Sequence, residues 1–319
     1  MGQHLAAIDV HEQRFRVATS GITRRARQSL NSNRWNRFAR RAKPSAAASL
    51  GGKHCFRSVD FYHAGMLTTV AQTRREFLRR HSDGAVVGRI LEIGAFDNPT
   101  FRRELGDQVE YLDFFSREEL VEMHKGNPRR NPSAAVEVDH VVKSSDFSTK
   151  LKPGFDLIVA HHVMEHVPDV IFWFQQIERL LAVDGWLFLS IPDRRYTFDF
   201  FRPISLATQM IRAHAERLER PDVWQLTEAF YYYMDVDLAA IWRGKMPEKF
   251  VPRFSLAKAR QMAESKSKTY TDAHCWVFTS QSFTQCVEDL RSAELLQFSL
   301  AQSEEAQPGT NEFRVLLRR

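Results

Sequence analysis

The sequence is poor in cysteine and has no long apolar run. Its three cysteines among 319 residues (Cys55, Cys275 and Cys286) are too widely spaced for a CxxC pair or a set of metal ligands. Their scarcity favours a reducing compartment. No run approaches the roughly 18 apolar residues that a membrane span needs, and the first residues lack the apolar core of a secretory signal. We therefore expect a cytoplasmic protein with no membrane span and no bound metal.

Acidic residues are scarce only at the beginning of the chain. Residues 1–45 contain ten Arg and Lys residues against Asp9 and Glu12, a net charge of +8, whereas the whole chain carries +6 and the remainder −2. This asymmetry predicts a basic, flexible extension over residues 1–58 and a domain over residues 59–319. The extension is open to three interpretations: a solvated tail, a transit peptide, or a contact with nucleic acid or another anionic surface.

Glycine is also sparse where a dinucleotide-binding protein needs it, because the full GxGxxG pattern is absent. The stretch 88–99 instead has a short apolar run that ends at Gly94, where a ligand can approach bare backbone. About twenty residues later, the run 109–113 ends in Asp113, at the position where a carboxylate accepts hydrogen bonds from a ribose diol. Together these features predict a nucleoside-type cofactor across the carboxyl ends of two neighbouring strands.

Alternating apolar runs and helical patterns predict an α/β sheet. After strands at 90–93 and 111–113, we expect a third at 135–142 and a fourth at 155–160. The fourth has no polar alternation, which is typical of a central parallel strand covered on both faces. An amphipathic helix at 170–182 then leads through Asp184-Gly185 to a fifth strand at 186–191.

The remainder of the chain departs from regular alternation. Residues 197–273 contain three helical patterns (206–218, 223–242 and 256–264) separated by prolines, and predict a helical insertion, or lid. A helix at 282–291 and a closing hairpin of 295–301 with 312–317 follow. The predicted fold is therefore Rossmann-like: a seven-stranded, mostly parallel sheet with a C-terminal antiparallel hairpin and a helical insertion after strand five.

Several motifs in this order resemble class I S-adenosylmethionine-dependent methyltransferases, over roughly residues 88–319. They are Leu91-Glu92-Ile93-Gly94 with Asp113, the strand 155–160, Glu165-His166-Val167, and the run 184–192. A longer match resembles a narrower bacterial methyltransferase group that often accompanies glycosyltransferases. That match comprises residues 192–199, Arg202-Pro203, Asp272, His274 and 276–279.

The resemblance implies that S-adenosyl-L-methionine is the cofactor, and it assigns the residues that bind it. Glu92 and Gly94 would face the methionine end, with Asp97 as a further contact, and Asp113 would bind the ribose. Asp146 and the following phenylalanine would flank the adenine, and His161 would complete the set. A local role for each of these acids, as a turn or strand-end cap, is the alternative.

The acceptor is expected beyond strands four and five. Candidate catalytic residues are His161 and His274, as general bases, and Asp193. Candidate acceptor-binding residues are Arg194, Arg195, Tyr196 and Asp272. The alternative interpretation of these charges is an ion-pair network that anchors the insertion. The order of His162, Glu165 and His166 is not that of HExxH, so no metal site is predicted.

The function that these residues favour is methyl transfer, most simply to an oxygen of a small molecule or glycan. Two alternatives stay open: a nucleic-acid methyltransferase that grips its substrate with the basic extension, and a non-catalytic cofactor-binding or interaction protein. A nicotinamide dehydrogenase is disfavoured by the missing glycines and the closing hairpin. The oligomeric state is not predicted.

Overall fold

The computed structural model describes residues 67–82 and 88–319. The predicted basic extension, residues 1–58, lies outside them, as does the beginning of the predicted domain. Across the described residues, no helix combines the length and the apolar character that crossing a membrane requires.

Seven strands form one sheet in the order β3-β2-β1-β4-β5-β7-β6. The first five strands are parallel, and β7 runs antiparallel to both β5 and β6. This topology confirms the predicted fold. The strands are β1 (Ile90–Ile93), β2 (Val109–Asp113), β3 (His140–Val141), β4 (Phe155–His161), β5 (Leu181–Pro192), β6 (Ser299–Glu304) and β7 (Glu312–Arg318).

Eight α-helices surround the sheet or belong to the insertion within the described residues. They are α1 (Thr69–His81), α2 (Arg117–Met123), α3 (Val170–Leu180), α4 (Ala207–Ala215), α5 (Val223–Tyr232), α6 (Leu238–Trp242), α7 (Leu256–Lys266) and α8 (Ser280–Ser292). Side-chain caps start several of them. For example, the Asp169 carboxylate accepts a hydrogen bond from the amide of Phe172 at the start of α3.

Both faces of the sheet are covered, which explains the continuous apolar runs of its central strands. On one face, Phe174 of α3 and Phe283 of α8 belong to the large core. On the other face, Phe77 of α1 stacks on Phe188 of β5 with ring centroids 5.2 Å apart. The two layers fix the strand ends, and hence the edge from which the functional side chains project.

The insertion, residues 197–273, has a small core of its own. Helices α5 and α7 pack through Leu226, Ala229 and Ala263. Arg202 is 1% exposed and donates hydrogen bonds to the carbonyls of His274 (2.6 Å) and Cys275 (3.3 Å). The first residues of the insertion are therefore tied directly to the segment that follows it.

Four predicted elements differ clearly from the structure. The fifth strand begins at Leu181, not at residue 186, because Leu181 pairs with Phe155 of β4, and the helix before it therefore ends at Leu180. The third strand spans two residues, not eight, because the amide of Val136 bonds to the carbonyl of Phe96 outside the ladder. The first hairpin strand begins at Ser299, not at residue 295, since Leu296 and Phe298 turn into the core. The helix predicted over 223–242 is divided, because Asp237 caps a separate α6.

Candidate active site

The predicted site residues gather at one edge of the sheet. Gly94 follows β1, Asp113 ends β2, His161 ends β4 and Asp193 follows β5, so all four lie at the carboxyl ends of parallel strands. Because β7 is antiparallel, its first residue, Glu312, pairs with Pro192 at this same edge. The edge therefore combines side chains from five strands, as expected for a ligand site in an open α/β sheet.

Gly94 is required by its backbone and by its neighbour. Its φ of +71° lies in the left-handed region, and a Cβ atom built there would approach Cγ2 of Val163 to 2.7 Å. Glu92, 1% exposed, holds the loop that Gly94 begins, since its two carboxylate oxygens accept hydrogen bonds from the amides of Thr100 (2.7 Å) and Phe101 (3.0 Å). Burial raises the pKa of Glu92 to about 7 despite these amide bonds.

In the structure, Glu92 thus has the local role that was the alternative to ligand binding. Asp97 has a similar one: its Oδ1 pairs with Arg130 at 3.1 Å and its Oδ2 accepts a hydrogen bond from the amide of Asn131 at 2.7 Å. These contacts connect the loop after β1 to the segment before β3. Direct contact of Glu92 or Asp97 with a cofactor stays a prediction.

Asp113 is held in place by the loop that follows it. Its Oδ1 accepts a hydrogen bond from the amide of Phe115 at 3.0 Å. Burial raises the pKa of Asp113, and the amides of Phe114 and Phe115 oppose that shift. A carboxylate fixed by backbone amides at a strand end keeps further acceptor positions for a ligand, since each oxygen can accept more than one bond.

Asp146 follows β3 and precedes a short 3-10 turn, Phe147–Lys150. Its Oδ1 atom is buried and has no hydrogen-bond partner among the described residues. Such an atom is costly unless a ligand or water pairs with it. The buried Phe147 lies beside it, so this position offers an acceptor and an apolar surface together.

His161 ends β4, between the strand ends that carry Gly94 and Asp193. Its Nε2 is 3.0 Å from Oγ1 of Thr100, and its ring meets Phe188 edge-on at 5.0 Å between centroids. Its Nδ1 is buried without a hydrogen-bond partner in the described part of the chain. Desolvation, reinforced by the positive charge of Arg74, holds the pKa of His161 well below 6.5, so the ring is neutral at neutral pH.

Asp193 and Arg195 are paired with each other. Asp193 is fully buried, and its carboxylate accepts hydrogen bonds from the amide (3.0 Å) and the guanidinium Nε (2.9 Å) of Arg195. The same guanidinium also pairs with Glu305, and these bonds raise the pKa of Arg195 further. The geometry agrees with the anchoring alternative for this pair, and catalysis by Asp193 stays a prediction.

Arg194 and Tyr196 have different surroundings. Arg194 donates a hydrogen bond to the carbonyl of Phe200 at 2.6 Å, while its buried Nε has no partner in the described ranges. Desolvation lowers the pKa of Arg194. Tyr196 stacks on Trp242 of the insertion, with centroids 4.3 Å apart and rings 5° from parallel. This stack places an aromatic surface beside the end of β5.

His274 and Asp272 lie where the insertion returns to the sheet. His274 Nδ1 is 2.6 Å from Oδ2 of Asp199, and Asp272 Oδ1 is 2.8 Å from Nδ1 of His166. Burial alone would raise the pKa of Asp199, but His274 and Arg202 hold it below its ordinary value. Each histidine is therefore oriented by a carboxylate.

Comparison with protein families identifies the family of the chain that carries this edge. Residues 62–290 match the model of a family described as a methyltransferase domain. This chain is a member of that family. The methyltransferase accordingly uses S-adenosylmethionine, the cofactor that the resemblance of its motifs implies. No curated protein matches the sequence.

Solved structures similar to the methyltransferase are distant. An S-adenosylmethionine-dependent methyltransferase from Mesorhizobium loti shares 15% identity over 78% of this chain and 96% of its own, with a TM-score of 0.39. The 1,6-didemethyltoxoflavin-N1-methyltransferase of Burkholderia thailandensis shares 13% over 79% and 78%, with a TM-score of 0.40. Likenesses this remote do not bear on the acceptor.

The cofactor fits the residues that the methyltransferase presents. The partnerless Oδ1 of Asp146 suits a hydrogen-bond donor such as an adenine amino group, and Asp113 suits a diol. Gly94 keeps the start of the loop after β1 free of a side chain.

Sequence reasoning missed one buried ion network in the methyltransferase. Glu312 Oε2 lies 2.6 Å from Nη2 of Arg74 and 2.9 Å from Nε2 of His162, and its Oε1 lies 3.3 Å from Nε of Arg314. The signal in the sequence was weak, since it consisted only of three charged residues in the otherwise apolar final strand. Two partners of Glu312, His162 and Arg74, are 150 and 238 residues away.

Proposed function

We propose that this methyltransferase methylates a hydroxyl oxygen of a small molecule or glycan. The observation that carries the proposal is the neutral imidazole of His161 at the end of β4, between the predicted cofactor side and the predicted acceptor side of the edge. An alcohol must lose its proton as its oxygen attacks, and an unprotonated imidazole can accept it.

The cofactor supplies the methyl group already activated on a sulfonium. In the proposal, Asp113 accepts hydrogen bonds from the ribose diol, and the Oδ1 atom of Asp146 accepts one from the adenine amino group. Gly94 lets the loop after β1 approach the cofactor closely. Glu92 and Asp97 act indirectly: their carboxylates accept hydrogen bonds from backbone amides and so fix the conformation of that loop.

His161 is preferred over His274 as the base for two reasons. Its pKa lies well below 6.5, so the ring is uncharged at neutral pH and keeps one basic nitrogen, and one of its ring nitrogens is buried without a described partner. His274 is 4% exposed and is fixed by Asp199, an arrangement that also orients bases in enzymes. Since both were candidates from sequence, the experiment includes both.

The acceptor side is assigned to Arg194 and Tyr196. The Nε of Arg194 is able to donate to an acceptor oxygen, whereas the guanidinium of Arg195 is already engaged by Asp193 and Glu305. The flat stack of Tyr196 on Trp242 suits a ring or sugar face. Residues 197–273 would then form a lid over the acceptor and exclude water.

The test is an acceptor screen with the full chain, in which transfer of labelled methyl groups to hydroxyl-bearing and amine-bearing compounds is measured. With a hydroxyl acceptor and at saturating cofactor, we expect His161→Ala to lower kcat by about 100-fold or more. His140→Ala, a variant of a half-buried histidine away from the acceptor side, is the control.

Transfer to amines alone would overturn the proposal. Full activity of His161→Ala with a hydroxyl acceptor would overturn His161 as the base. If the loss is then confined to His274→Ala, the base is the Asp199–His274 pair and oxygen methylation stands.

A further inference from the structure

Glu165 has an environment that the proposed reaction does not explain. It lies in a short 3-10 turn after β4, Met164–His166, and is 1% exposed. Neither of its carboxylate oxygens has a hydrogen-bond partner among the described residues. Two ring nitrogens, His162 Nδ1 at 3.6 Å and His166 Nε2 at 3.8 Å, lie too far from Oε1 for hydrogen bonds. A buried carboxylate without such bonds calls for another partner.

Two histidines point toward the same place. One oxygen of Glu165 and one ring nitrogen each of His166 and His274 all lie within 4.8 Å of one another. The two rings are nearly perpendicular, with centroids 4.8 Å apart. Donor atoms at this spacing need only small side-chain movements to reach a common ion at about 2.0–2.2 Å, the usual bond lengths of zinc to nitrogen and oxygen.

Each of the two imidazoles is held from behind by a carboxylate. Nδ1 of His166 is 2.8 Å from Asp272, and Nδ1 of His274 is 2.6 Å from Asp199. The nitrogen that would coordinate is therefore Nε2 in both rings. A carboxylate on the second nitrogen is the arrangement found around histidines that bind metals, where it fixes the tautomer and makes the ligand more basic.

The backbone keeps these donors together. The carbonyl of Glu165 accepts hydrogen bonds from the amides of Cys275 (2.6 Å) and Trp276 (3.3 Å). This contact holds the segment that carries His274 against the turn that carries Glu165 and His166. The donor set is thus built from two segments about 109 residues apart, which are joined by main-chain bonds.

We propose that Glu165, His166 and His274 bind a divalent transition-metal ion, with zinc favoured by the donor types. Two imidazoles and one carboxylate suit zinc, and three protein ligands leave a fourth position open to water or an acceptor oxygen. The ion would fix the end of the insertion to the end of β4. It would also make His274 a ligand instead of a base, consistent with His161 as the proton acceptor.

The test is cobalt binding by the full chain after treatment with a chelator. Cobalt(II) in a site of low coordination number absorbs visible light, so the spectrum reports the site without any need for activity. We expect one cobalt per chain, displaced by one zinc. Glu165→Gln should weaken binding about 100-fold or more, and Asp199→Asn, which removes the support of His274, about 10-fold.

His214→Gln is the matched control. His214 also has Nδ1 about 3 Å from a carboxylate, that of Asp169, but it is not part of the donor set. The His214→Gln variant should bind cobalt with the affinity of the native chain. A folded native chain that gives no saturable cobalt spectrum would overturn the proposal. Equal binding by the native chain and Glu165→Gln would overturn it as well.

If Glu165→Gln fails to fold, the native spectrum and Asp272→Asn decide the question. Asp272 is half exposed and supports His166 only through Nδ1, so its loss should weaken binding about 10-fold in a folded protein. Unchanged affinity in that variant, together with unchanged affinity in Asp199→Asn, would contradict the assignment.

Discussion

The two halves of the sheet edge use acidic residues in opposite ways. After β2, the Asp113 carboxylate is held by a backbone amide, and after β3 the Oδ1 of Asp146 is buried without a partner among the described residues. After β5 and at the start of β7, carboxylates are buried against cations, as at Asp193 and Glu312. The first arrangement suits a ligand with hydroxyl and amino donors, and the second suits mechanical attachment.

The difference shows that the role of a charged residue at a strand end can be inferred only when its partner is known. Asp113 and Asp193 occupy equivalent positions at or just beyond their strands. Asp113 is held by amides alone, whereas Asp193 is neutralised by Arg195 two residues later. Substitutions should therefore distinguish the two groups. Substitution of Asp113 should lower ligand affinity and leave stability intact, whereas substitution in the ion pairs of Asp193 or Glu312 should lower stability.

The largest effect is expected at Glu312. Glu312→Gln leaves Arg74 and Arg314 buried beside a neutral amide, which should lower the free energy of unfolding at pH 7 by about 3 kcal/mol. The exposed Glu305→Gln is the control and should change it by less than about 0.5 kcal/mol. Urea denaturation measures both, and equal stability of the two variants would show that the network is not stabilising.

The same variant has a defined pH dependence. Burial opposes ionisation of Glu312, but Arg74 and His162 hold its pKa well below 4.5. A lowered pKa contributes stability above the unfolded value, and that stability is lost as pH falls through the folded value. The difference between the native chain and Glu312→Gln should therefore shrink below about pH 4.5. A constant difference down to pH 3 would contradict the shift.

Next in size is the loss of cofactor affinity in Asp113→Ala. Removal of the charge-assisted bonds to the diol should weaken binding of S-adenosylmethionine by about 100-fold, or about 2.7 kcal/mol. Calorimetric titration measures it, with Glu118→Ala on the neighbouring helix as control. The melting temperature should hardly change, because Asp113 has no ion-pair partner among the described residues. A loss of stability in Asp113→Ala with unchanged cofactor affinity would instead give Asp113 a structural role like that of Asp193 and Glu312.

Arg195→Met tests the pair from its other side. Asp193 would stay fully buried without its guanidinium partner, and we expect a loss of about 2 kcal/mol. That figure is kept low because Arg195 is itself partly exposed, so water replaces some of the lost interaction. Arg253→Met, which removes an exposed pair with Asp235, should cost less than about 0.5 kcal/mol. Comparable losses of stability in the two variants would show that the burial of Asp193 does not strengthen its ion pair.

The smallest expected effect is at Gly94. Gly94→Ala combines a positive φ with a clash against Val163, whereas Gly106→Ala has a similar φ (+86°) and no atom within 4 Å of the new Cβ. The difference between the two variants should be about 1 kcal/mol in unfolding free energy, the cost of the clash alone. Cofactor affinity should fall in Gly94→Ala only.

The sheet was predictable because its signals are local. Runs such as 157–160 are apolar throughout, and each is followed by a polar residue that marks the edge. Short edge strands were less predictable. Strand β3 keeps two residues, and Val136, four residues before it, bonds to the loop after β1 instead. Strand β6 was displaced by a few residues, since Phe298 contributes to the core and not to the ladder.

The site was predictable residue by residue but not in its pairings. Sequence singled out Asp193, Arg195 and His274 by position, yet nothing in their spacing shows that the first two bind each other. The meeting of Glu165 with His274 depends on how residues 197–273 return to the sheet, a contact of high sequence separation. Glu312 escaped notice because Arg74 and His162, two of its partners, are far from it in the sequence.

The contact of Arg202 with the carbonyls of His274 and Cys275 has an evolutionary consequence. It closes the insertion at its base, so the chain leaves and rejoins the sheet at nearly one point. The entropy of closing a loop grows only slowly with its length, so a segment closed this way can be lengthened, shortened or exchanged without disturbing the strands. Descendants of this chain could therefore change which molecule they accept while keeping their methyl donor.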